Sequence, residues 1–373
     1  MKVPYFSPWI TSNDKQSVVK TLDNRWLTNG PTLKKFEENF QQFIGSKHAN
    51  GVGSATQALH LAMRAIDIKK NDEVIVPTFT FAASANAVTY CGARPILTDV
   101  DSNTFNIKPS EIKKNITKKT KAIVVVHYGG QSCDMNEIKS IAKSYDLKII
   151  EDCAHALGSK YKNKMCGNIG IAGCFSFYPT KVITTGEGGM LTTNNLQIHD
   201  KAIQLKNQGM SITANKREEK AKWQYDVVDL GYNYRLDDIR ASLGLSQLSR
   251  IEEINKRRIK IAKIYDKHIQ KIKGLTIPKT KSDRNHIYHL YTIKVEKDYH
   301  LTRDQLFDEL NKKEIGTSVQ YYPLHLMSYN SKLYKHKIHR FPIANKLKDL
   351  VLCLPIFPTM TLKQIEYVIS SLK

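Results

Sequence analysis

The chain has 373 residues, of which 41% are hydrophobic and 25% are charged. This apolar content excludes a wholly disordered chain, because enough surface exists to offset the entropy of ordering. The longest clean apolar run, residues 122–126, is far too short to span a bilayer, and the N-terminal segment lacks the apolar stretch of a secretory signal. A typical domain has roughly 150 residues, so the length predicts two domains.

The charge balance is strongly basic. Lysine and arginine together number 57 against 35 acidic residues, a net charge of +22 that favours anionic partners such as nucleotides or phosphates. The lysines are spread along the whole chain, and the densest stretch, residues 113–121, has no interleaved aromatics, so we expect neither nucleic-acid nor membrane binding. The six cysteines form no C-x-x-C pair, which predicts free thiols in a reducing cytoplasm and no metal site.

Short apolar segments alternate with helix-length segments between residues 50 and 195. The predicted strands are residues 73–77, 95–100, 122–128, 147–153 and 174–178, and the predicted helices between them include residues 55–66, 82–91 and 135–145. This alternation is typical of a mostly parallel sheet that helices cover on both faces.

The pattern changes in the last third of the chain. Residues 237–271 carry a long helical periodicity, and mixed strand and helix patterns follow at residues 286–295, 303–312, 317–321 and 362–372. We therefore predict an α/β protein with a large, mostly parallel-sheet domain over residues 1–250. A smaller C-terminal α/β domain over residues 251–373 would follow, joined to the first by a long helix.

Three segments carry residues that suit a phosphorylated cofactor, although each has an ordinary structural explanation as well. The segment 51–63 places Ser54 and Thr56 at the start of an amphipathic helix, where backbone N–H groups bind phosphate but where such residues are also common caps. Phe81 follows a predicted strand and precedes small residues. Asp152 ends a buried strand, where α/β sheets place their ligands, although an aspartate there can simply cap a helix.

Lys181 is the fourth candidate. It follows a strand and Pro179 and precedes a glycine-rich turn, and its neighbours are largely apolar. A desolvated lysine loses its proton more readily, and a neutral amine can form a Schiff base with an aldehyde cofactor. A lone lysine in a loop is usually solvated, so the order of all four elements along the chain is what favours a cofactor site.

In this order the motifs resemble those of the sugar-nucleotide aminotransferases of the DegT/DnrJ/StrS type, pyridoxal-phosphate enzymes with an aspartate-aminotransferase-like fold. The resemblance covers essentially the whole chain, from WLTNGP at residues 26–31 through EDCAHALG, SFYPTKVITTGEGG and GYNYRLDDIRASLGLSQL to LCLPIFPTMT. It implies transfer of an amino group from an amino acid, with L-glutamate the expected donor, to a keto sugar linked to a nucleoside diphosphate. Pyridoxal 5′-phosphate would be the cofactor, pyridoxamine 5′-phosphate would carry the nitrogen, and the product would enter amino-sugar, surface-polysaccharide or glycan synthesis.

The resemblance also implies roles for single residues. Lys181 would form the Schiff base, Asp152 would pair with the pyridine nitrogen and His155 would lie near the phenolic oxygen. The remaining cofactor contacts would be Phe81 on the ring and Ser54, Ala55, Thr56 and Ser176 on the phosphate. Asn233 would reach the phosphate in a neighbouring subunit, which implies a homodimer with shared active sites. The candidate substrate contacts are Thr28, Glu187, Tyr322 and His325.

Two departures and two alternatives accompany this interpretation. His155 stands where many relatives have glutamine, and either side chain can donate a hydrogen bond. Gln320 stands where many relatives have histidine, a difference that bears on the sugar contacts and not on the cofactor site. A dehydratase of the same fold would use pyridoxamine phosphate without a lysine imine, and the presence of Lys181 argues against it. A basic DNA-binding regulator would need a helix-turn-helix module, for which no stretch of sequence remains. Uridine, thymidine and guanosine nucleotides all stay open.

Overall fold

A computed structural model describes residues 1–211, 224–334 and 338–373. Its central sheet has seven strands, in the order β1-β9-β8-β5-β4-β2-β3. They are β1 (His48–Val52), β2 (Glu73–Pro77), β3 (Arg94–Thr98), β4 (Thr120–Val126), β5 (Lys148–Asp152), β8 (Ala172–Ser176) and β9 (Gly189–Thr193). The sheet is parallel except for β9, which runs antiparallel to both of its neighbours.

Helices cover both faces of this sheet. They are α2 (Pro31–Ile44), α3 (Ala55–Ala65), α4 (Ala83–Tyr90), α5 (Pro109–Asn115), α6 (Met135–Ser144) and α7 (Leu196–Lys206), whereas α1 (Ser12–Asp23) packs mainly against the helix of residues 238–248. Successive side chains of a strand point to opposite faces. In β4, Val124 therefore packs in the core under α3 and α4, whereas Ile123 and Val125 pack under α5 and α6. Burial on both faces explains why the parallel strands read as continuous apolar runs.

The C-terminal part adds a small antiparallel sheet of β10 (Leu275–Thr276), β12 (Tyr291–Val295) and β13 (Val351–Leu354). Its helices are α8 (Asp238–Leu248), α9 (Ile251–Ile269), α10 (Arg303–Lys312), α11 (Ser328–Tyr334), α12 (Pro342–Leu347) and α13 (Leu362–Ser370). The first turn of α9 packs in the core beneath α2, and its last turns pack against the small sheet. A third sheet joins β11 (Arg284–Asn285) to the hairpin β6 (Lys160–Tyr161) and β7 (Lys164–Met165).

The predicted fold class is confirmed, and the five predicted strands are present with ends shifted by at most two residues. The single long helix predicted over residues 237–271 is wrong, because the chain turns at Ser249 and Arg250 between α8 and α9. At that break Arg250 donates a 2.7 Å hydrogen bond to the buried carboxylate of Asp14. Residues 317–321, which the sequence predicted as part of the mixed strand and helix pattern, form an isolated β-bridge between Ser318 and Cys353 in place of a strand or helix. The domain boundary at residue 250 stays a prediction.

Two further properties bear on the sequence predictions. All six cysteines lie within the described ranges, and all six are free thiols. Among the helices described, none combines the length and the apolar character that crossing a membrane requires.

Candidate active site

The carboxyl ends of β4, β5 and β8 open into a cavity of about 680 Å³, which the start of α3 and residues 319–322 complete. This edge is where parallel α/β sheets bind their ligands. Most of the predicted site residues line it, namely Ser54, Ala55, Thr56, Phe81, Asp152, His155, Ser176, Lys181, Glu187 and Tyr322.

One corner of the cavity is built for an anion. Ser54 caps α3, its Oγ accepting from the backbone N–H of Gln57 at 3.2 Å, and the first turn of the helix lines the cavity. The N–H groups of a first helical turn have no partner within the helix and attract phosphate. Gly189 passes so close that a Cβ there would lie 2.5 Å from the carbonyl carbon of Ser54. Ser176, the residue paired with Gly189, adds a hydroxyl to this corner.

Asp152 also lines the cavity and is buried at the end of β5. Ser84 Oγ donates to its Oδ2 at 2.7 Å, and the backbone N–H of Ala154 donates to its Oδ1 at 3.1 Å. Burial raises the pKa of Asp152, while these two hydrogen bonds and the charge of Lys181 oppose the rise. The arrangement holds an acceptor ready for one proton on a ligand ring.

The neighbouring residue, Glu151, fixes the end of β5 from the other face of the sheet. Its buried carboxylate accepts from the backbone N–H groups of Gly167 at 2.9 Å and Gly170 at 2.7 Å, and lies 2.9 Å from His127 Nε2. Burial raises the pKa of Glu151, but the bond from His127 and these backbone donors together bring it below its usual range. This network determines where Asp152 enters the cavity.

Lys181 lies in the cavity wall, in a turn closed by a 2.8 Å hydrogen bond from its backbone N–H to the carbonyl of Tyr178. Burial lowers the pKa of Lys181 to about 8, and the charge of Asp152 only partly opposes this shift. A neutral amine is therefore readily available near neutral pH, as imine formation requires.

Aromatic side chains form the remaining walls. Phe81 is 62% exposed just before α4, lines the cavity, and has its ring centroid 6.2 Å from that of Tyr321. The ring of Tyr321 is parallel to that of His155, with 6° between their planes, and its hydroxyl lies 2.9 Å from His155 Nε2.

Tyr321 and Ser84 are two residues of the site that were not predicted from the sequence. An aromatic neighbour to the predicted Tyr322 was the available signal for Tyr321. For Ser84 the signal was a small polar residue one helical turn after Phe81.

Two predicted residues lie outside the cavity of their own subunit. Thr28 is exposed, and its backbone forms an isolated β-bridge with Asp237. Asn233 is exposed as well, and its backbone forms an isolated β-bridge with Asn207. The role of Asn233 in a neighbouring subunit stays a prediction.

His325 is also outside the cavity. Its buried ring is bonded to Thr78 Oγ1 at 2.8 Å and to Asn345 Oδ1 at 2.9 Å. Both ring nitrogens are therefore engaged, and the structure does not bring His325 to the site as a substrate contact.

Residues 8–373 match the model of the DegT/DnrJ/EryC1/StrS aminotransferase family. The chain is 41% identical to the spore coat polysaccharide biosynthesis protein SpsC of Bacillus subtilis, over 100% of this chain and 96% of SpsC. It is 39% identical to the GDP-perosamine synthase of Escherichia coli O157:H7, over 99% and 97% of the two chains. A solved structure of the sugar aminotransferase Spr1654 from Streptococcus pneumoniae, in its PMP form, superposes with a TM-score of 0.93 at 30% sequence identity. The superposition covers 100% of this chain and 98% of that of Spr1654.

The cavity fits pyridoxal 5′-phosphate. The anion corner at α3 suits the phosphate, the buried carboxylate of Asp152 suits the ring nitrogen, and the amine of Lys181 suits the aldehyde. The close approach of Gly189 to Ser54 is an independent sign of the same ligand, because it keeps side chains out of the corner where the phosphate would bind.

Proposed function

We propose a specific reaction for this chain, which belongs to the DegT/DnrJ/EryC1/StrS aminotransferase family and is a sugar aminotransferase that depends on pyridoxal 5′-phosphate. The reaction moves the amino group of L-glutamate to a keto sugar linked to a nucleoside diphosphate. A GDP-linked sugar is the first to test, because the relative from E. coli is named GDP-perosamine synthase. The name of SpsC favours a product used in surface polysaccharide.

The observation that carries this proposal is the shared cavity of Lys181 and Asp152 beside an anion corner. When bound, pyridoxal 5′-phosphate supplies an aldehyde that links to amines and a ring that withdraws electrons. Asp152 would hold a proton at the ring nitrogen, and its negative charge would keep that proton in place. Lys181 Nζ would hold the cofactor covalently and, once released, would move a proton at the reacting carbon of each substrate.

The other residues of the cavity would orient the two substrates. Ser54, Ala55, Thr56 and Ser176 would anchor the phosphate, which fixes the reacting end without taking part in chemistry. Phe81 would cover one face of the ring. Glu187 and Tyr322 stay proposed contacts to the substrate, because both line the open side of the cavity.

We also propose a homodimer in which each active site uses both chains. The segment before Asn233 exposes large apolar side chains, with Val228 53% and Leu230 72% accessible, and Trp26 and Leu27 are exposed near Thr28. Exposed apolar groups of this kind mark surfaces that a partner covers. Asn233 would then reach the phosphate in the partner's cavity, and Thr28 the partner's substrate. The free thiols favour a reducing, cytoplasmic setting.

A substrate panel tests the proposal. Keto sugars linked to GDP, UDP and dTDP would each be incubated with L-glutamate and the purified protein, and 2-oxoglutarate and the amino sugar followed by mass spectrometry. We expect equal amounts of both products with at least one nucleotide sugar, and none with Lys181→Ala. Loss of a sugar hydroxyl without gain of nitrogen would support the dehydratase alternative. Amination that persists in Lys181→Ala would contradict the proposal.

A further inference from the structure

The ring proton of His155 can be assigned from its surroundings. The backbone N–H of Gly129 points at His155 Nδ1 at 3.3 Å, and an N–H group can only donate, so Nδ1 accepts. Burial, with the charge of Lys181 adding to it, lowers the pKa of His155 well below its usual value. The ring is therefore neutral, and its one proton lies on Nε2, which faces Tyr321.

Tyr321 must consequently accept from His155. Its hydroxyl oxygen lies 2.9 Å from Nε2, and the proton between them belongs to the imidazole. The hydroxyl hydrogen of Tyr321 is then left for another acceptor. Because Tyr321 lines the cavity, an acceptor on a bound ligand can receive it.

Packing holds this hydroxyl in one place. The ring of Tyr321 is parallel to that of His155, and its centroid lies 6.2 Å from those of Phe81 and Tyr128. The hydroxyl of Tyr128 donates to the carbonyl of Gln320, which fixes the peptide that leads into Tyr321. A side chain confined in this way is preorganised as a donor.

We infer that Tyr321, oriented by His155, donates a hydrogen bond to the phenolic oxygen of pyridoxal 5′-phosphate. This inference rests on the proposed function. His155 then acts as a positioning residue through Tyr321. The resemblance to the family implied instead that His155 itself lies at this oxygen. In the structure the only ring proton of His155 is already directed to Tyr321.

The location suits this role. The phenolic oxygen is on the carbon next to the one that carries the aldehyde, so its donor must lie near Lys181. The charge of Lys181 acts on His155, and that of Asp152 acts on Tyr321. Burial, with Asp152 adding to it, raises the pKa of Tyr321 well above its usual value, so the phenol keeps its proton at neutral pH.

The donor has a measurable consequence. With pyridoxal 5′-phosphate held through Lys181, its phenolic oxygen would be an anion and would share the proton of the linking nitrogen. A hydrogen bond from Tyr321 stabilises the anion, and the linking nitrogen then loses its proton at a lower pH. Removing the donor should therefore raise the pH at which the visible absorbance of the bound cofactor changes.

The test is a pH titration of that absorbance in the holoprotein. We expect the midpoint to rise by roughly one pH unit in Tyr321→Phe, the size typical of losing a hydrogen bond to an anion. Tyr322→Phe removes the same atom from the next residue of the same cavity, and its midpoint should not move. In His155→Gln a smaller rise is expected, and adding this change to Tyr321→Phe should give little further shift, because both act through one bond.

The outcomes separate this inference from the proposed function. A wild-type protein that forms no visible band with pyridoxal 5′-phosphate would defeat the proposed function itself. A normal band with an unchanged midpoint in Tyr321→Phe would overturn the inference alone. If Tyr321→Phe does not retain the cofactor, the size of the rise in His155→Gln decides. A rise well below one pH unit supports Tyr321 as the donor, and a rise of the full unit would make His155 the direct donor and overturn the inference. Circular dichroism of each variant checks that the fold is kept.

Discussion

Ser84 Oγ donates a 2.7 Å hydrogen bond to Oδ2 of Asp152, and this bond joins α4 to the end of β5. Burial, the largest influence on Asp152, raises its pKa, and the bond from Ser84 is the strongest of the opposing ones. A carboxylate that must stay ionised beside a ring nitrogen needs such a donor. Ser84 is therefore a residue through which the fold adjusts the acidity of the site.

Ser84→Ala should move the acid limb of the pH profile of kcat/KM to higher pH. Without the donor the pKa of Asp152 rises further, so the carboxylate is neutralised at a higher pH than in the wild type. The shift should be about one to two pH units, because a hydrogen bond to an ionised group contributes about 1.5–3 kcal/mol and one unit corresponds to about 1.4 kcal/mol. Thr89→Ala, on the same helix but bonded towards Tyr334, is the control. Identical acid limbs in the wild type and Ser84→Ala would show that this bond does not affect the acidity of Asp152.

The lowered pKa of Lys181 predicts how the cofactor-free protein takes up pyridoxal 5′-phosphate. The neutral amine is the nucleophile, so the rate of appearance of the visible band should increase with pH and level off above about 8. In Asp152→Asn the plateau should begin at lower pH, since the negative charge that raises the pKa of Lys181 is gone. Stopped-flow absorbance measures both profiles. A plateau reached only near 10.5, the value for an exposed lysine, would contradict the buried environment.

From the sequence, the positions of Asp152 and Lys181 at the site could be predicted, whereas the residues that surround them there could not. Asp152 and Lys181 follow buried apolar strands, and that local pattern places them at the ligand edge of a parallel sheet. Ser84 and Tyr321 reach the site only through tertiary packing, from a helix and from a segment after α10, so no local periodicity marks them. The strands β1 and β9 escaped prediction for a related reason. Their sequences, HANGV and GMLTT, have no apolar run and become buried through their neighbours.

Glu151 should be important for stability. Glu151→Ala leaves the N–H groups of Gly167, Ile169 and Gly170, of which only that of Gly167 is fully buried, without this acceptor. A buried loss costs about 1–3 kcal/mol and the partly buried ones less, so we expect a destabilisation of about 3–5 kcal/mol. Urea denaturation of the cofactor-free protein measures it. Glu253→Ala, which breaks an exposed pair with Arg257, is the control and should cost below about 1 kcal/mol.

The same residue predicts a pH dependence. The pKa of Glu151 is lowered in the folded state, so its contribution is present above the ordinary value of 4.5 and is lost as the pH falls through the folded value. The difference in unfolding free energy between the wild type and Glu151→Ala should accordingly shrink below pH 4.5. A difference that is constant down to the acid transition would show that the charge of Glu151 is not what stabilises the turn.

The shared active site can be tested by mixing two impaired variants. Lys181→Ala lacks the imine-forming amine, and Asn233→Asp sets a carboxylate against the phosphate. Subunit exchange should restore one intact site per heterodimer, built from the Lys181 of one chain and the Asn233 of the other. Activity should therefore reappear on mixing, while each variant alone stays inactive or weak. Heterodimers that mass spectrometry confirms but that gain no activity would rule out a shared site.

The most direct test of the central claim is to trap the cofactor on the protein. The holoprotein would be reduced with borohydride, digested and mapped by mass spectrometry, with Lys181→Ala treated in parallel. The account predicts a reduced pyridoxyl adduct on the peptide that contains Lys181, and no adduct in the variant. An adduct on a different lysine, or none although the visible band was present, would contradict it.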